Sequence, residues 1–405
     1  MSSPVPDPLE QLPLDALRER TSLKWRTHPD DVLPLWVAEM DVEPCGPVVE
    51  AVTGAVRRGD TGYAHGLGYA EAMAAFAERR WGWSTFPVQR SALVPDVMLG
   101  VVEALRLVTA AGDAVVVNPP VYPPFYAFSE SLGRTVLDAP LGADGRIDST
   151  VLEETFIRAR SGGRAAAYLL CSPHNPHGTV HTAGELGRVA ALADRHGVRV
   201  IADEIHAPLV LPGATFVPYL AVAGDGDGFA LASASKAWNL AGLKAAVLVA
   251  GRAAAPDLAR LPEEVSHGAS HVGVLAHTAA LESGEPWLDA LLAGLDSNRS
   301  LLRDLLRDRV PALRWTPPEA TYLAWLDCRG TGAGADDRDT ERGDVTTISG
   351  PAAVFLGTGR LALSSGSNFG PGGAGHVRLN FATSQAILGE AVERMSRVVG
   401  PGPTG

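Results

Sequence analysis

Short, almost wholly apolar runs alternate with amphipathic segments between residues 113 and 251. The apolar runs are predicted β-strands: Ala114–Val117, Thr135–Leu137, Ala166–Cys171, Val198–Ala202, Phe229–Ala232 and Ala245–Ala250. Apolar residues recur at helical spacing in Val97–Ala110, Leu152–Ala159 and Ala183–His196. Strands that are apolar on both faces are typical of buried parallel sheets. The alternation therefore predicts an α/β fold with helices packed on each face of the sheet.

The C-terminal part begins with a long helical stretch, Trp287–Leu306, and continues with apolar runs at Thr321–Leu326 and Val377–Phe381. This order predicts a smaller α+β domain. We expect residues 1–48 to form an N-terminal arm and part of the small domain, residues 49–285 the large domain, and residues 286–405 the C-terminal small domain. The segment 330–350, rich in Gly and Asp, is expected to be a mobile loop, and residues 400–405 a frayed tail.

The composition of the chain argues against several classes of binding partner and of structural site. The chain has 405 residues, with 34 Lys and Arg against 46 Asp and Glu, and a net charge of -12. This acidic balance argues against nucleic acid or an anionic membrane as partner. The cysteines Cys45, Cys171 and Cys328 are widely spaced and show neither a disulfide framework nor zinc-ligand spacing. Without a secretory signal or a long apolar run, the protein is expected to be cytoplasmic.

Polar segments follow four of the predicted strands. They are Asn118–Tyr122, Ser172–Pro176, Asp203–His206 and Ser233–Lys236. Because ligands of α/β sheets bind outside the carboxyl ends of the strands, these segments are expected to converge on one rim. The sequence therefore predicts a single site built from separate loops.

Lys236 has the surroundings of a lysine that forms a Schiff base with pyridoxal phosphate (PLP). A lone Ser-x-x-Lys is more often a solvated loop lysine, so the interpretation depends on the neighbouring residues. Ser233 and Lys244 are candidates for binding a phosphate. Val97 and Met98 open a predicted helix, and backbone amides at a helix N-terminus also favour phosphate.

The sequence also offers candidate residues for the ring of this cofactor and for the carboxylate of an amino-acid substrate. A carboxylate that keeps the pyridine nitrogen protonated is expected from Asp203, although an Asp after a strand is often only a cap. Tyr122 is a candidate for stacking on the ring, and Asn175 for a hydrogen bond to the phenolic oxygen. His206 could reach the same oxygen or be simply packed. Arg378, a charge within an apolar strand, suits a substrate carboxylate, with a structural salt bridge as the alternative.

A metal site is not expected. The pair His174 and His177 could suggest one, but no carboxylate or cysteine lies beside them in the sequence.

The chain resembles fold-type I PLP enzymes, the aspartate aminotransferase superfamily, and more narrowly the MalY/PatB group of cystathionine β-lyases. The resemblance extends from about residue 20 to 395. It rests on Leu35–Asp41, Gly62-Tyr63, Pro120–Tyr122, Asp203–His206, Ser233–Leu243, Thr321–Trp325, Asn368–Gly370 and Val377–Ala382. It implies a large PLP-binding domain, with a mostly parallel seven-stranded sheet sandwiched by helices, and a smaller α+β domain.

The resemblance also implies roles for individual residues. Lys236 would hold the cofactor and then act as general base at the substrate Cα. The other implied roles are Asp203 at the pyridinium, Asn175 at O3′, Tyr122 stacked on the ring, Ser233 and Lys244 at the phosphate, and Arg378 at the substrate carboxylate. Tyr63 would reach the phosphate of the neighbouring subunit, which implies a homodimer. Trp36, Ala38 and Tyr63 are expected to shape the substrate pocket.

The expected reaction is α,β-elimination from cystathionine or another S-substituted L-cysteine, which releases a thiol, pyruvate and ammonia. Two alternatives stay open: a PLP-dependent aminotransferase, and a non-catalytic regulatory protein of the same fold. The chain departs from the group's pattern at Glu39, where the group has Asp, and at Asp96–Gly100, where it usually has a "PGVV"-like sequence. The physiological substrate is not predicted.

Overall fold

The computed structural model describes residues 5–224, 226–334 and 346–399. The predicted tail at residues 400–405 lies outside these ranges, as do residues 335–345 of the predicted 330–350 loop.

Thirteen strands are formed by the described residues. They are β1 (Leu33–Pro34), β2 (Ser91–Val94), β3 (Ala114–Val117), β4 (Thr135–Asp138), β5 (Ala166–Cys171), β6 (Arg199–Asp203), β7 (Phe229–Ala232), β8 (Ala246–Ala250), β9 (Arg314–Trp315), β10 (Leu323–Asp327), β11 (Leu361–Ala362), β12 (Ser364–Ser365) and β13 (His376–Asn380).

Fifteen α-helices accompany them in the described part of the chain. They are α1 (Leu14–Arg18), α2 (Leu23–Arg26), α3 (Gly46–Arg58), α4 (Gly68–Trp81), α5 (Val97–Val108), α6 (Pro124–Ser131), α7 (Ser149–Ala159), α8 (Ala183–His196), α9 (Tyr219–Ala223), α10 (Ala255–Leu258), α11 (Glu263–His267), α12 (His271–Ser283), α13 (Glu285–Arg309), α14 (Gly350–Gly357) and α15 (Gln385–Val399).

The main sheet has seven strands in the order β2-β8-β7-β6-β5-β3-β4. Neighbours from β7 to β4 pair in parallel, while β8 runs antiparallel to both β7 and β2. The predicted mostly parallel sheet is therefore confirmed. The sequence does not predict the edge strand β2, because three of its four residues are only partly buried.

Both faces of this sheet are covered by helices. Along β3, Val115 and Val117 belong to the apolar core on the α5 side, whereas Ala114 and Val116 belong to the core on the side of α7 and α8. This alternation follows from the two-residue period of a strand, and it explains why β3 is entirely apolar.

The C-terminal part contains a four-stranded antiparallel sheet in the order β12-β13-β10-β9. The N-terminal arm joins this part, because Leu33 and Pro34 of β1 pair in parallel with Leu361 and Ala362 of β11. The arrangement agrees with the expected smaller α+β domain, and the domain boundaries stay predictions. In the described part of the chain, no helix combines the length and apolarity that crossing a bilayer requires.

A buried ion pair fixes the N-terminal arm next to the segment Trp36–Asp41. The Lys24 Nζ lies 2.7 Å from the Asp41 Oδ1, and the two side chains are 0% and 1% exposed. The same ammonium donates a hydrogen bond to the Glu39 carbonyl at 3.1 Å. A buried charge is tolerated when it is paired and hydrogen-bonded, so each partner stabilises the burial of the other.

Replacing Lys24 by Met is expected to destabilise the protein by about 3–5 kcal/mol, because the Asp41 carboxylate is left buried without a counter-ion. The measurement is urea denaturation of the cofactor-free protein. Arg18→Met is the control, since Arg18 pairs with Asp15 where the side chains are 38% and 94% exposed, and its loss should cost less than about 1 kcal/mol. Equal costs for the two variants would contradict a structural role for the buried pair.

Candidate active site

A cavity of about 480 Å³ lies where the polar segments after β5, β6 and β7 meet the N-terminal arm and β13. The predicted site residues that line it are Trp36, Ala38, Val97, Met98, Tyr122, Asn175, Asp203, His206, Lys236, Lys244 and Arg378. Of the remaining candidates, Ser233 and Tyr63 are not among the lining residues. Separate loops thus converge on one rim, as the pattern of strands predicts.

Lys236 follows β7 and extends its amine into the cavity. Its Nζ donates a hydrogen bond to the carbonyl of Ala38 at 3.0 Å, and the hydroxyl of Tyr322 donates to the same carbonyl at 3.0 Å. Burial and the positive charge of Arg378 lower the pKa of Lys236 to about 8, against the opposing effect of the Asp203 carboxylate. Roughly a tenth of the amine is therefore neutral and nucleophilic at pH 7, far more than for an ordinary lysine.

The chain has only three lysines, Lys24, Lys236 and Lys244. Lys24 is buried in its ion pair with Asp41, so the two ε-amines at the cavity are the ones left to react with a ligand.

Asp203 ends β6 on the wall of the cavity. Burial raises its pKa to about 6, while the amide N–H of Ile205, at 3.1 Å from Oδ1, and the charge of Lys236 lower it. A cation placed against this carboxylate would lower its pKa further and would be stabilised in turn. The position suits a protonated heterocyclic nitrogen.

Arg378 lies on β13 with its guanidinium buried. One nitrogen donates to Asn175 Oδ1 at 3.2 Å, and another donates to the Trp36 carbonyl at 3.0 Å and to Ser364 Oγ at 3.2 Å. Burial lowers its pKa to about 10. Among the described residues, no carboxylate pairs with Arg378 and its Nε has no hydrogen-bond partner. This buried cation is thus able to bind an incoming anion.

Tyr122 and His206 complete the wall around the reactive groups. Burial and the nearby Asp203 raise the pKa of Tyr122 to about 12, so its phenol is neutral. Burial and the charges of Lys236 and Arg378 lower the pKa of His206 to about 3, so its imidazole is neutral too. His206 Nδ1 is buried and, among the described residues, has no partner, which leaves it able to bond a ligand.

Another part of the cavity lining is formed by the N-terminus of α5 and by Lys244. Val97 and Met98 occupy the first turn of this helix, and Lys244 forms an ion pair there with Asp96 at 2.8 Å. Ser233 is bonded within the chain, since its Oγ donates to the Ala245 carbonyl at 2.8 Å and accepts from the Ser235 amide at 3.1 Å. Ser235 lines the cavity instead. A role of Ser233 at the phosphate stays a prediction.

Two further predictions concern residues outside the cavity. Tyr63 is 81% exposed, with its ring centroid 5.5 Å from that of His267, so a role in a neighbouring subunit stays a prediction. His174 and His177 pack 5.5 Å apart, and the residues that the structure describes contain no group of side chains able to hold a metal ion.

Several residues of the site were missed from the sequence. Leu23, Leu99 and Phe128 form an apolar wall of the cavity, and no pattern distinguishes them from ordinary surface or core residues. Tyr322 lies in one of the motifs that carry the family resemblance, but its bond to the Ala38 carbonyl has no signal in the sequence.

These residues fit PLP in charge, size and chemistry. The cavity has one amine for the aldehyde, one carboxylate for the ring nitrogen, and a helix N-terminus with a lysine for the phosphate. His206 Nδ1 and Arg378 Nε are buried polar atoms that a cofactor or substrate could satisfy.

Known proteins of one family are similar to this chain over nearly its whole length. The family model "Aminotransferase class I and II" matches residues 31–395. A Mycobacterium leprae protein named "Putative cystathionine beta-lyase" is 59% identical, with 97% of this chain and 98% of the relative covered. The "Cystathionine beta-lyase" of Corynebacterium glutamicum is 33% identical, with 95% and 99% covered.

A solved structure from Corynebacterium diphtheriae is also similar to this chain. It is described as a "putative plp-dependent beta-cystathionase" and is 34% identical, with a TM-score of 0.86. The similarity covers 96% of this chain and 98% of that chain.

The electrostatics of the cavity predict the titration of Lys236 in the cofactor-free protein. Reductive methylation of Lys236, followed by peptide mass spectrometry, should rise with pH around a midpoint of about 8. Arg378→Gln should raise the pKa of Lys236, because a neighbouring positive charge is removed, and so should slow labelling at pH 8. Arg303→Gln, at an exposed position, is the matched control. A midpoint near the ordinary lysine value, or one that Arg378→Gln leaves unchanged, would contradict this electrostatic coupling.

Proposed function

The chain belongs to the aminotransferase class I and II family, and we propose that it is a PLP-dependent carbon–sulfur β-lyase that acts on an S-substituted L-cysteine. The observation that carries the proposal is the convergence of Lys236, Asp203 and Arg378 on one buried cavity. Its products would be a thiol, pyruvate and ammonia.

The cofactor would be held by Lys236 at its aldehyde, Asp203 at its ring nitrogen, and Lys244 with the first turn of α5 at its phosphate. When bound, PLP supplies an electron sink that makes the substrate Cα–H bond acidic. Lys236, released from the cofactor when the substrate amine takes its place, would remove the proton from Cα. Because its pKa is lowered to about 8, the amine is available as a base without strongly alkaline conditions.

Arg378 would orient the substrate. Its guanidinium is fixed by Asn175, Ser364 and the Trp36 carbonyl, so the position at which it binds an α-carboxylate is set before the substrate arrives. A fixed carboxylate limits the rotation of the Cα–H bond relative to the Lys236 amine, which lowers the entropic part of the barrier.

The thiol substituent would leave on the apolar side of the cavity. Leu23 and Phe128 are apolar lining residues that a thiol substituent could contact there. A thiolate is a good leaving group, so the Cβ–S bond needs less help from the protein than the Cα–H bond does.

We also propose that the active enzyme is a homodimer in which Tyr63 contributes to the partner's site. Two features support this proposal. Tyr63 is 81% exposed, far more than other aromatic side chains of the chain. Val49 and Val56 of α3 are exposed apolar residues seven positions apart and so lie on one helix face. Unpaired apolar surface of this kind is typical of an interface.

Elimination is tested by incubating the holoenzyme with L-cystathionine, L-cystine and S-alkyl-L-cysteines in the absence of any keto acid. L-cystathionine and the S-alkyl-L-cysteines are expected to give pyruvate and free thiol in equal amounts, and L-cystine to give pyruvate and a persulfide, because elimination needs no amino acceptor. Lys236→Ala should lose at least about 10³-fold in rate, since it removes the proposed base. A strict need for a keto acid acceptor would instead show an aminotransferase.

The shared site is tested with mixed dimers of Lys236→Ala and Tyr63→Ala. Each homodimer is expected to be nearly inactive. Co-expression should restore about one quarter of wild-type pyruvate release, because half of randomly mixed dimers are heterodimers and each of these has one intact site. Activity of the mixture no higher than the sum of the two homodimers would contradict a site shared between subunits.

A further inference from the structure

The phosphate end of the cavity contains a carboxylate. Asp96 is the N-cap residue of α5, and its Oδ1 accepts a hydrogen bond from the amide N–H of Leu99 at 2.8 Å. Its other oxygen, Oδ2, accepts from Lys244 Nζ at 2.8 Å. One side chain therefore engages both the first turn of the helix and the cation beside it.

Lys244 and the helix turn that contains Leu99 are also proposed to bind the cofactor phosphate, so the inference rests on the proposed function. A phosphate monoester is an anion that seeks backbone amides at a helix N-terminus and a nearby lysine. Asp96 itself provides a negative charge and acceptor oxygens for Lys244 and the first turn of α5.

We propose that Asp96 is an intramolecular stand-in for the cofactor phosphate. It satisfies Lys244 and the first turn of α5 while the cofactor is absent, and it competes with the phosphate when the cofactor binds. Both effects favour the cofactor-free state, because two neighbouring anions repel each other and compete for Lys244. The consequence is a cofactor that exchanges more readily than the donors alone would allow.

Helix capping alone does not account for the arrangement. Asp148 caps α7 in a similar manner, accepting from the amides of Thr150 and Val151 at 2.9 and 3.2 Å. It is exposed and does not line the cavity. Asp96 differs from it by the ion pair with Lys244 and by its position on the cavity wall.

The side chains of Lys244 and Asp96 are 55% and 25% exposed, so solvent screens the competition in part. We therefore expect a change in cofactor affinity of about tenfold, comparable to one charged hydrogen bond.

The test is a spectroscopic titration of cofactor-free Asp96→Asn with PLP and with pyridoxal, which has the aldehyde but no phosphate. Asn keeps an N-cap acceptor and removes the charge. PLP should bind about tenfold more tightly than to the wild type, and inorganic phosphate should compete more strongly. The affinity for pyridoxal should be unchanged. Asp148→Asn, the matched cap variant, should leave all three affinities unchanged.

Thermal melting gives an independent readout. In Asp96→Asn, the cofactor-free protein should melt at a lower temperature and the difference between loaded and cofactor-free protein should widen. Asp96→Ser, which also keeps a cap acceptor without charge, is the second variant if Asn does not fold.

Unchanged or weaker PLP binding by Asp96→Asn would overturn the inference, and weaker binding would show that Asp96 instead orients Lys244 toward the phosphate. An equal gain for pyridoxal would also overturn it. A failure of the cofactor assignment itself gives a different result, because neither aldehyde would then produce a visible band with the wild type or the variant.

Discussion

Burial of an amine, a carboxylate and a guanidinium in one cavity is the constraint on which the rest of the structure depends. Each of these charges would be costly alone in a low-dielectric site. Lys236 and Asp203 moderate each other, whereas the charge of Arg378 adds to the effect of burial on Lys236. Burial lowers the pKa values of Lys236 and Arg378 and raises that of Asp203. Burial therefore favours the neutral, nucleophilic form of the Lys236 amine. It also places the Arg378 guanidinium where it can bind an anionic ligand.

The segment Trp36–Asp41 holds this arrangement together without forming a helix or a strand. Its backbone carbonyls accept hydrogen bonds from side chains of distant parts of the chain. Asn380 donates to the carbonyls of Val37 and Glu39, both at 2.7 Å, and Asn239 donates to that of Met40 at 3.0 Å. A buried irregular segment needs such partners for its polar groups. The hydrogen bonds on either side of Ala38 also fix its carbonyl within hydrogen-bonding distance of the Lys236 amine.

The fold could be predicted from the sequence because its strands are apolar on both faces. All the strands expected in the large domain are present, with ends shifted by about one residue, as for Arg199–Asp203. The edge strand Ser91–Val94 was missed since its burial is one-sided and partial. Sheet topology then brings Asn175, Asp203 and Lys236 to one rim, which is why their convergence on one cavity could be predicted as well.

The contacts around Lys236 are harder to predict from the local sequence pattern. The Ala38 carbonyl meets Lys236 across 198 positions of sequence, and any residue type has a carbonyl. Leu23 and Leu99 line the cavity through tertiary packing alone. The role of Asp96 depends on the meeting of a helix N-terminus with Lys244, 148 positions away. Such contacts arise from the assembled fold rather than from the residues next to them in the chain.

The most direct measurement of the central claim is to add PLP to the cofactor-free protein, reduce it with borohydride and map the modified peptides by mass spectrometry. Since the chain has only three lysines, the result is unambiguous. The reduced cofactor is expected on Lys236 and on neither Lys24 nor Lys244. Modification of Lys244 in place of Lys236, or of no lysine at all, would contradict it.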